Sequence, residues 1–232
     1  MGGQACVFYG AAEFSRDTDI VILASSDNLD RFKTALADLQ AERIAVPPFE
    51  PDYLNRGHAV HFRCRRADAT GMRIDVMAVL RGVAPFDQLW PRRTTIQTPD
   101  GDTFDLLALP DLVQAKKTQR DKDWPMLRRL VEVHYLSNRE HPTTDAVNFW
   151  LRELRTPVLL TEVVREHPEA ARVAAAGRPL LGAATEGDSA AIERVLIEEE
   201  RRERDADRHY WQPLREELKQ LRHGSRPDSP AQ

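Results

Sequence analysis

The sequence contains little cysteine and no long apolar run. Its 232 residues include only Cys6 and Cys64, which are too few for a disulfide framework or a cysteine-ligated zinc site. No apolar run approaches the roughly 18 residues that a membrane-spanning helix needs, and no signal peptide precedes the first motif. We therefore expect a reduced, cytoplasmic protein that does not associate with membranes.

Strong net charge, internal repeats and a P-loop are also absent. Lys and Arg total 33 and Asp and Glu total 37, which gives a formal net charge of −4. This balance argues against a generally basic nucleic-acid-binding surface and leaves room for a local basic patch. Without a G-x-x-x-x-G-K-[ST] motif, the P-loop class of enzymes is disfavoured. The length suits one large domain or two small ones, with a sizeable core.

The pattern of apolar residues changes along the chain. The first 110 residues alternate apolar runs with turn signals, whereas the rest has helical periodicity. We predict an α/β (α+β) fold: a mixed-sheet domain over 1–136, a helical C-terminal region over 145–223 and a disordered tail over 224–232. The polar segment 137–144 is the predicted domain boundary.

Most elements have a local signal. We predict strands at 18–24, 43–46, 58–65, 72–80, 94–98 and 103–107, and helices at 4–14, 28–42, 110–118, 123–136, 145–154, 157–166, 168–176 and 189–221. The third and fourth strands form one hairpin, and the last two form another through Asp100-Gly101. We expect Asp27 to cap the second helix and Pro213 to break or kink the last one. The charged run 193–208 is typical of a solvated helix face.

Three acidic residues suggest a metal site. Asp17 and Asp19 stand two apart at the start of an apolar strand, so both side chains lie on one face. Two such charges are unfavourable together unless a cation neutralises them, and Mg²⁺ prefers oxygen ligands. Asp75 lies in a later strand, and if the two strands are neighbours the three carboxylates can hold two metals. Alternatively, Asp17 and Asp19 are turn or cap residues, and Asp75 pairs with Arg73 or another arginine.

Glycines precede these acids. Gly2-Gly3 leads into a short helix, where backbone N–H groups can approach phosphate oxygens, and Gly10 follows the helix. Ser15 stands two residues before Asp17, where it can bond a phosphate or the loop itself.

This stretch resembles a known motif. GGQACVFYGAAEFSRDTDIVI is similar to the opening of the polymerase-beta-type nucleotidyltransferase superfamily, especially the minimal bacterial enzymes and the toxins of toxin–antitoxin and abortive-infection systems. That pattern has a glycine pair, a short helix, a second glycine and Arg-x-Thr-x-Asp-x-Asp. The matching residues are Gly2, Gly3, Gly10, Ser15 in the Thr place, the metal-binding pair Asp17 and Asp19, and Asp75 as the later third carboxylate.

A second block also resembles this superfamily. In LPDLVQAKKTQRDKDWPMLRRL, Lys116 fits the lysine of an acidic-Leu-x-x-x-Lys helix, and Arg120, Lys122 and Asp123 follow it. Such a basic cluster can grip a triphosphate or an acidic acceptor. The alternative is a solvated helix end capped by Asp111. Together the two blocks cover roughly residues 2–135.

The resemblance implies a nucleotidyltransferase fold and activity. The expected reaction is Mg²⁺-dependent transfer of a nucleoside monophosphate from an NTP to a hydroxyl acceptor, with release of pyrophosphate. The expected acceptor is a tRNA, a protein or a small molecule. An antitoxin is an expected partner. The implied roles are metal binding by Asp17, Asp19 and Asp75, with Asp75 also assisting deprotonation, triphosphate contact by Gly2, Gly3 and Ser15, and charge neutralisation by Lys116 and Arg120.

Other readings stay open. A catalytically degenerate module that binds nucleotide, RNA or a partner is favoured by Glu13, which stands where relatives carry Arg, and a metal-dependent phosphohydrolase is the third reading. Relatives place a helix and a strand before the glycine pair, so we expect that the chain lacks a sheet element or that its true start lies upstream. His58 and His61, three apart on a strand, point to opposite faces, and packing or hydrogen-bonding roles are expected for them.

Overall fold

The computed structural model describes residues 1–224 as an α+β protein. Its strands are β1 (Asp17–Val21), β2 (Glu42–Arg43), β3 (Val60–Arg63), β4 (Arg73–Met77), β5 (Thr94–Gln97) and β6 (Thr103–Leu106). Its helices are α1 (Gly2–Phe8), α2 (Ser26–Asp38), α3 (Pro51–Asn55), α4 (Phe86–Leu89), α5 (Leu109–Ala115), α6 (Asp123–Asn138), α7 (Thr144–Glu153), α8 (Pro157–Glu166), α9 (Pro168–Ala174), α10 (Leu180–Glu186) and α11 (Ser189–Gly224). The α+β prediction is confirmed. The predicted disordered tail lies outside the described residues, except for Gly224, which ends α11.

Four strands form a mixed sheet in the order β1-β4-β3-β2. β1 and β4 are parallel, whereas β3 is antiparallel to both β4 and β2. The last two strands, β5 and β6, form a separate antiparallel hairpin. Both predicted hairpins are therefore confirmed. In addition, β4, which contains Asp75, lies next to β1, which contains Asp17 and Asp19.

The mixed sheet has one apolar and one polar face. Alternate residues of its strands point into a core that also includes Leu29 and Leu36 of α2. The core contains Val60, Phe62, Ile74 and Val76 of the strands and Ile22 directly after β1, and Ile20 of β1 packs against it. Because side chains alternate along a strand, the intervening positions lie on the opposite face, and all three predicted metal-binding acids are among them.

The start of α2 differs from the prediction. Ser25, not Asp27, caps the helix: its backbone is extended and its Oγ accepts a hydrogen bond from the N–H of Asn28. A cap residue needs a non-helical backbone, and Asp27 is already inside the first turn, where its negative charge favours the helix N-terminus.

The first helix, several short helices and the last helix also differ from the prediction, since α1 ends at Phe8 and not at residue 14. The sequence did not predict α3, α4 or α10, which have only four to seven residues and too little periodicity to recognise. Of the two outcomes expected at Pro213, a break is wrong, because α11 continues from Ser189 to Gly224 with Pro213 inside it, and a kink stays a prediction. Although α11 has 36 residues, neither it nor any other helix in the described residues is apolar enough to cross a membrane.

The chain divides into two compact units. Among the described residues, the first contains Met1–Phe8, Ala12–Ala115 and residues 208–224, and the second contains Tyr9–Ala11 and Lys116–Asp207. The loop between α6 and α7, which we predicted as a domain boundary, lies within the second unit. Compact contacts do not show which segments fold independently, so the predicted division into 1–136 and 145–223 stays a prediction.

The second unit has a helical core with buried charges. Arg178 is 7% exposed and donates to the carbonyls of Leu151 and Leu154, at the C-terminal end of α7. It also pairs with Glu199 of α11, as does the buried Arg155. Arg178 thus stabilises carbonyls that the end of α7 leaves without partners, whereas Arg155 donates to the Leu196 carbonyl inside α11. The charged run 193–208 is thus only partly a solvated face.

We expect the apolar sheet face to dominate the stability of the first unit. Leu29→Ala removes a side chain that is 1% exposed, so it should lower the free energy of unfolding by about 2–5 kcal/mol. Leu23→Ala is the matched control, because Leu23 is 48% exposed and its truncation should cost little. Chemical denaturation measures both, and equal losses would contradict the assigned core.

Candidate functional site

Polar side chains form two rows across the polar face of the sheet. In one row, Asp75 of β4 lies between Asp19 of β1 and His61 of β3, since it is paired with both residues. In the adjacent row, Arg73 is paired with Asp17 on one side and Arg63 on the other. Residues opposite one another in a sheet have side chains on the same face. The strands that contain Asp17, Asp19 and Asp75 are therefore neighbours, which is the condition that the metal-site prediction required.

Two neighbouring side chains bind the same carboxylate oxygen of Asp75. Its Oδ1 lies 2.8 Å from His61 Nδ1 and 2.8 Å from Arg73 Nε, whereas Oδ2 has no hydrogen bond within the described residues. Burial raises the pKa of Asp75, but the bonds from His61 and Arg73 outweigh it and leave this pKa below its usual value. Asp75 is therefore an ionised carboxylate with one oxygen available.

Asp19 is held against the glycine pair. The Gly3 N–H donates to Asp19 Oδ2 at 3.4 Å, and the Met1 ammonium donates to the Asp19 carbonyl at 2.7 Å. A Cβ on Gly2 would lie 1.9 Å from the same Oδ2, and Gly2 has a positive φ of 71°. Glycine is thus required at position 2 both by its backbone conformation and by the closeness of Asp19.

Gly3 and Ser15 are also in close contact. A Cβ on Gly3 would lie 2.3 Å from Ser15 Oγ. The Ser15 hydroxyl donates to the carbonyl of Asp17 at 3.0 Å, and Gln4 donates to the Ser15 carbonyl. Of the two alternatives for Ser15, the structure therefore shows the bond within the loop. The glycines and Ser15 fix the entrance to β1 beside the acids.

Asp17 differs from the other two acids. Its carboxylate is exposed and makes no hydrogen bond within residues 1–224. The guanidinium of Arg73 is near enough for Asp17 and Asp19 to contribute to its raised pKa, after the larger effect of the hydrogen bond to Asp75. Arg73 therefore offsets part of the negative charge of all three acids, as the alternative reading of Asp75 anticipated.

Two of the acids can serve as ligands of a hard divalent cation, but the three acids do not form a complete coordination shell. Among the described residues, no cluster of three or more His, Cys, Asp or Glu side chains has an arrangement that could hold a metal ion. Mg²⁺ commonly uses one or two carboxylates and completes its coordination with water and substrate phosphates. Asp19 and Asp75, opposite each other in the sheet, provide such a pair.

The basic cluster of the second block lies in the second unit. Asp123, which is 3% exposed, binds Lys116 Nζ at 3.2 Å, Arg120 Nε at 2.8 Å and Thr118 Oγ1 at 2.6 Å. Burial raises the pKa of Asp123, but Lys116, Thr118 and Arg120 together lower it below its usual value. Both predicted substrate-binding cations thus have an acidic partner. Asp111, proposed as a cap, instead pairs with Arg92.

An aromatic cavity also borders Asp19. It has a volume of about 520 Å³ and lies between α1, β1, α4 and β6. Phe8 and Phe104 contact each other at a ring distance of 5.3 Å, and Phe86 stacks on Trp90 at 5.6 Å. The sequence did not reveal this cavity, because its aromatic residues are far apart in the chain and belong to short elements.

Known proteins give no independent identification. No protein-family model matches the chain, and no curated protein sequence matches it.

We expect Gly2→Ala to disturb the site more than a substitution at another positive-φ glycine. Both Gly2→Ala and Gly71→Ala carry a backbone cost of about 1–2 kcal/mol, but a Cβ on Gly71 would meet nothing within 4 Å. The contact with Asp19 should add about 1–3 kcal/mol to the cost at Gly2. Denaturation of both variants tests this difference, and equal losses would show that Asp19 does not press on the glycine.

We expect the ion pairs of Asp123 to make the free energy of unfolding decrease at acidic pH. Because its folded-state pKa is lowered, its contribution is present above the unfolded value of about 4 and is lost as pH falls through the folded value. Asp123→Asn should cost about 3–5 kcal/mol at pH 7 by leaving Lys116 and Arg120 without their partner. Denaturation at several pH values should show that this cost shrinks below pH 4.

Asp100→Asn is the control for Asp123→Asn. Asp100 is exposed in the turn between β5 and β6, and Asn-Gly suits such a turn as well as Asp-Gly. Its cost should be small at every pH. A cost of Asp123→Asn that stays constant from pH 7 to pH 2 would contradict the assigned ion pairs.

Proposed function

We propose that this chain is a Mg²⁺-dependent nucleotidyltransferase that moves a nucleoside monophosphate from an NTP to a hydroxyl acceptor. The observation that carries the proposal is the placement of Asp19 and Asp75 directly opposite each other on β1 and β4. Like charges at opposed positions destabilise a sheet. A sheet that retains them is better explained by a cation that binds both than by packing.

The reaction requires positioning and charge stabilisation more than covalent chemistry. The acceptor hydroxyl oxygen attacks the α-phosphorus and its proton passes to water, while the bond from that phosphorus to the oxygen bridging the β-phosphorus breaks and pyrophosphate leaves with the electron pair. Mg²⁺, when bound, neutralises charge on the phosphate oxygens. Asp19 and Asp75 would hold it, and the exposed Asp17 would complete the acidic surface.

The lowered pKa of Asp75 refines its proposed role. A carboxylate that binds an arginine and a histidine is a weak proton acceptor, because its charged form is already stabilised. We therefore assign Asp75 to metal binding rather than to deprotonation of the acceptor. The predicted roles of Gly2, Gly3 and Ser15 in triphosphate contact, and of Lys116 and Arg120 in charge neutralisation, stay predictions.

A catalytically degenerate module of the same kind is the second candidate. Arg73 favours it, because this cation occupies one oxygen of Asp75 and lies beside the other two acids. Such a protein would bind a nucleotide, an RNA or a partner without turnover.

The two candidates differ in turnover. Wild-type protein with Mg²⁺ and each labelled NTP should release pyrophosphate and transfer label to an acceptor. Asp19→Asn should lower the rate by about 100-fold or more, since preorganised charge of this kind contributes about 10²–10³, and Asp17→Ala should also reduce it. Asp30→Asn is the control, because Asp30 forms only an exposed pair with Lys33.

Each outcome selects one function. Loss of transfer in Asp19→Asn with full activity in Asp30→Asn supports the nucleotidyltransferase. Nucleotide binding by wild-type protein without turnover supports the degenerate module. Release of phosphate or nucleotide with water as the sole acceptor would instead indicate a phosphohydrolase.

A further inference from the structure

His61 contacts the side of Asp75 that faces away from Asp19. It lies on β3, directly opposite Asp75 in the antiparallel pair, and its Nδ1 is 2.8 Å from Asp75 Oδ1. Its side chain is 28% exposed and that of Asp75 is 12% exposed, so the contact is largely shielded from water. The backbone register of two paired strands therefore fixes where the imidazole meets the carboxylate.

The distances around Nδ1 define the tautomer. A nitrogen 2.8 Å from a carboxylate oxygen must have a proton between the two atoms, because two acceptors at that distance would repel each other. Arg73 Nη2 lies farther from Nδ1, at 3.2 Å, and Arg73 already donates from Nε to Asp75. The short contact thus places the proton on Nδ1 and makes His61 a donor to Asp75.

We infer that His61 is a positioning residue for Asp75. By donating to Oδ1, together with Arg73, it fixes the rotation of the carboxylate and leaves Oδ2 as the oxygen for the cation shared with Asp19. This inference rests on the proposed function. Hydrogen bonds to a ligating carboxylate orient it, and removal of such a bond typically lowers metal affinity by about 10–100-fold.

His61 and Arg73 are not equivalent in this arrangement. The Arg73 side chain is 39% exposed and also lies near Asp17 and Asp19, so its charge is spread over three acids. With the proton on Nδ1, the bond to Asp75 is the one hydrogen bond that His61 makes within the described residues. Loss of the imidazole donor should therefore act on Asp75 alone.

Two amide substitutions separate the positions of the ring nitrogens. Asn has its amide nitrogen the same number of bonds from Cα as Nδ1, whereas Gln has it at the distance of Nε2. His61→Asn can therefore keep the donor to Asp75, and His61→Gln cannot keep it in place. We expect His61→Asn to remain within about threefold of wild type, and His61→Gln to bind metal about 10–100-fold more weakly.

Mn²⁺ is the probe, because its binding can be followed by electron paramagnetic resonance without turnover. The same variants are then assayed for nucleotidyl transfer against Mg²⁺ concentration, where His61→Gln should need more metal for half-maximal rate and reach a similar maximum. Thermal unfolding of each variant shows whether it is folded. Equal affinities for wild type and His61→Gln, or equal losses in both amide variants, would overturn the inference.

A second measurement does not depend on metal or activity. In ¹⁵N-labelled protein, at a pH where the ring is neutral, the His61 resonances should show a proton on Nδ1, and Asp75→Asn should shift them. A proton on Nε2 instead overturns the inference even if the protein has no transferase activity. Wild-type protein that shows the Nδ1 proton but neither binds Mn²⁺ nor transfers a nucleotide would overturn the proposed function and, with it, the positioning role.

Discussion

Asp19 and Asp75 repel each other across the two parallel strands of the sheet, and the surrounding residues are arranged so that this repulsion is tolerated. Arg73 and His61 bind Asp75 from one side, while the Gly3 N–H reaches Asp19 from the other. These contacts hold both carboxylates on a rigid support. In the proposed function, that support presents the pair to a divalent cation.

The rigid support comes from the opposite face of the same strands. Ile74 and Val76 flank Asp75 in β4 and are buried in the core with Leu29 and Leu36 of α2. A shift of one residue in the pairing of β1 with β4 would expose the apolar set and bury the acids. Hydrophobic burial on one face therefore fixes the register that brings the acids together on the other.

Much of the site followed from residue spacing, and the rest depended on tertiary contacts. Period-two spacing placed Asp17 and Asp19 on one face. The same rule did not apply to His58 and His61, because His58 precedes β3 and meets Glu217, whereas His61 lies in β3 and meets Asp75. Spacing alone could not show that β4 pairs with β1. That pairing is long-range, and it depends on which strands the core brings together.

The second block shows that sequence spacing does not predict contacts across irregular segments. Lys116 and Arg120 were interpreted as cations for a substrate, but both bind the buried Asp123. The contact between Lys116 and Asp123 crosses an irregular segment that no helical spacing rule describes. In the same way, the cap at Ser25 was misplaced by two residues, because the extended backbone of a cap is set by how the chain enters the helix.

The charged run of α11 has a consequence for how this sequence can change over evolutionary time. Glu199 is 16% exposed and holds two buried arginines, whereas its neighbour Glu198 is 48% exposed and pairs only with Arg201 on the surface. Breaking a buried pair by removing one partner is costly, but exposed pairs contribute little. The strength of selection should therefore vary along this segment with the helical period, and it should be strongest at positions that face the buried arginines. Homologous chains can drift in charge at most of these positions while the inward-facing acid is retained.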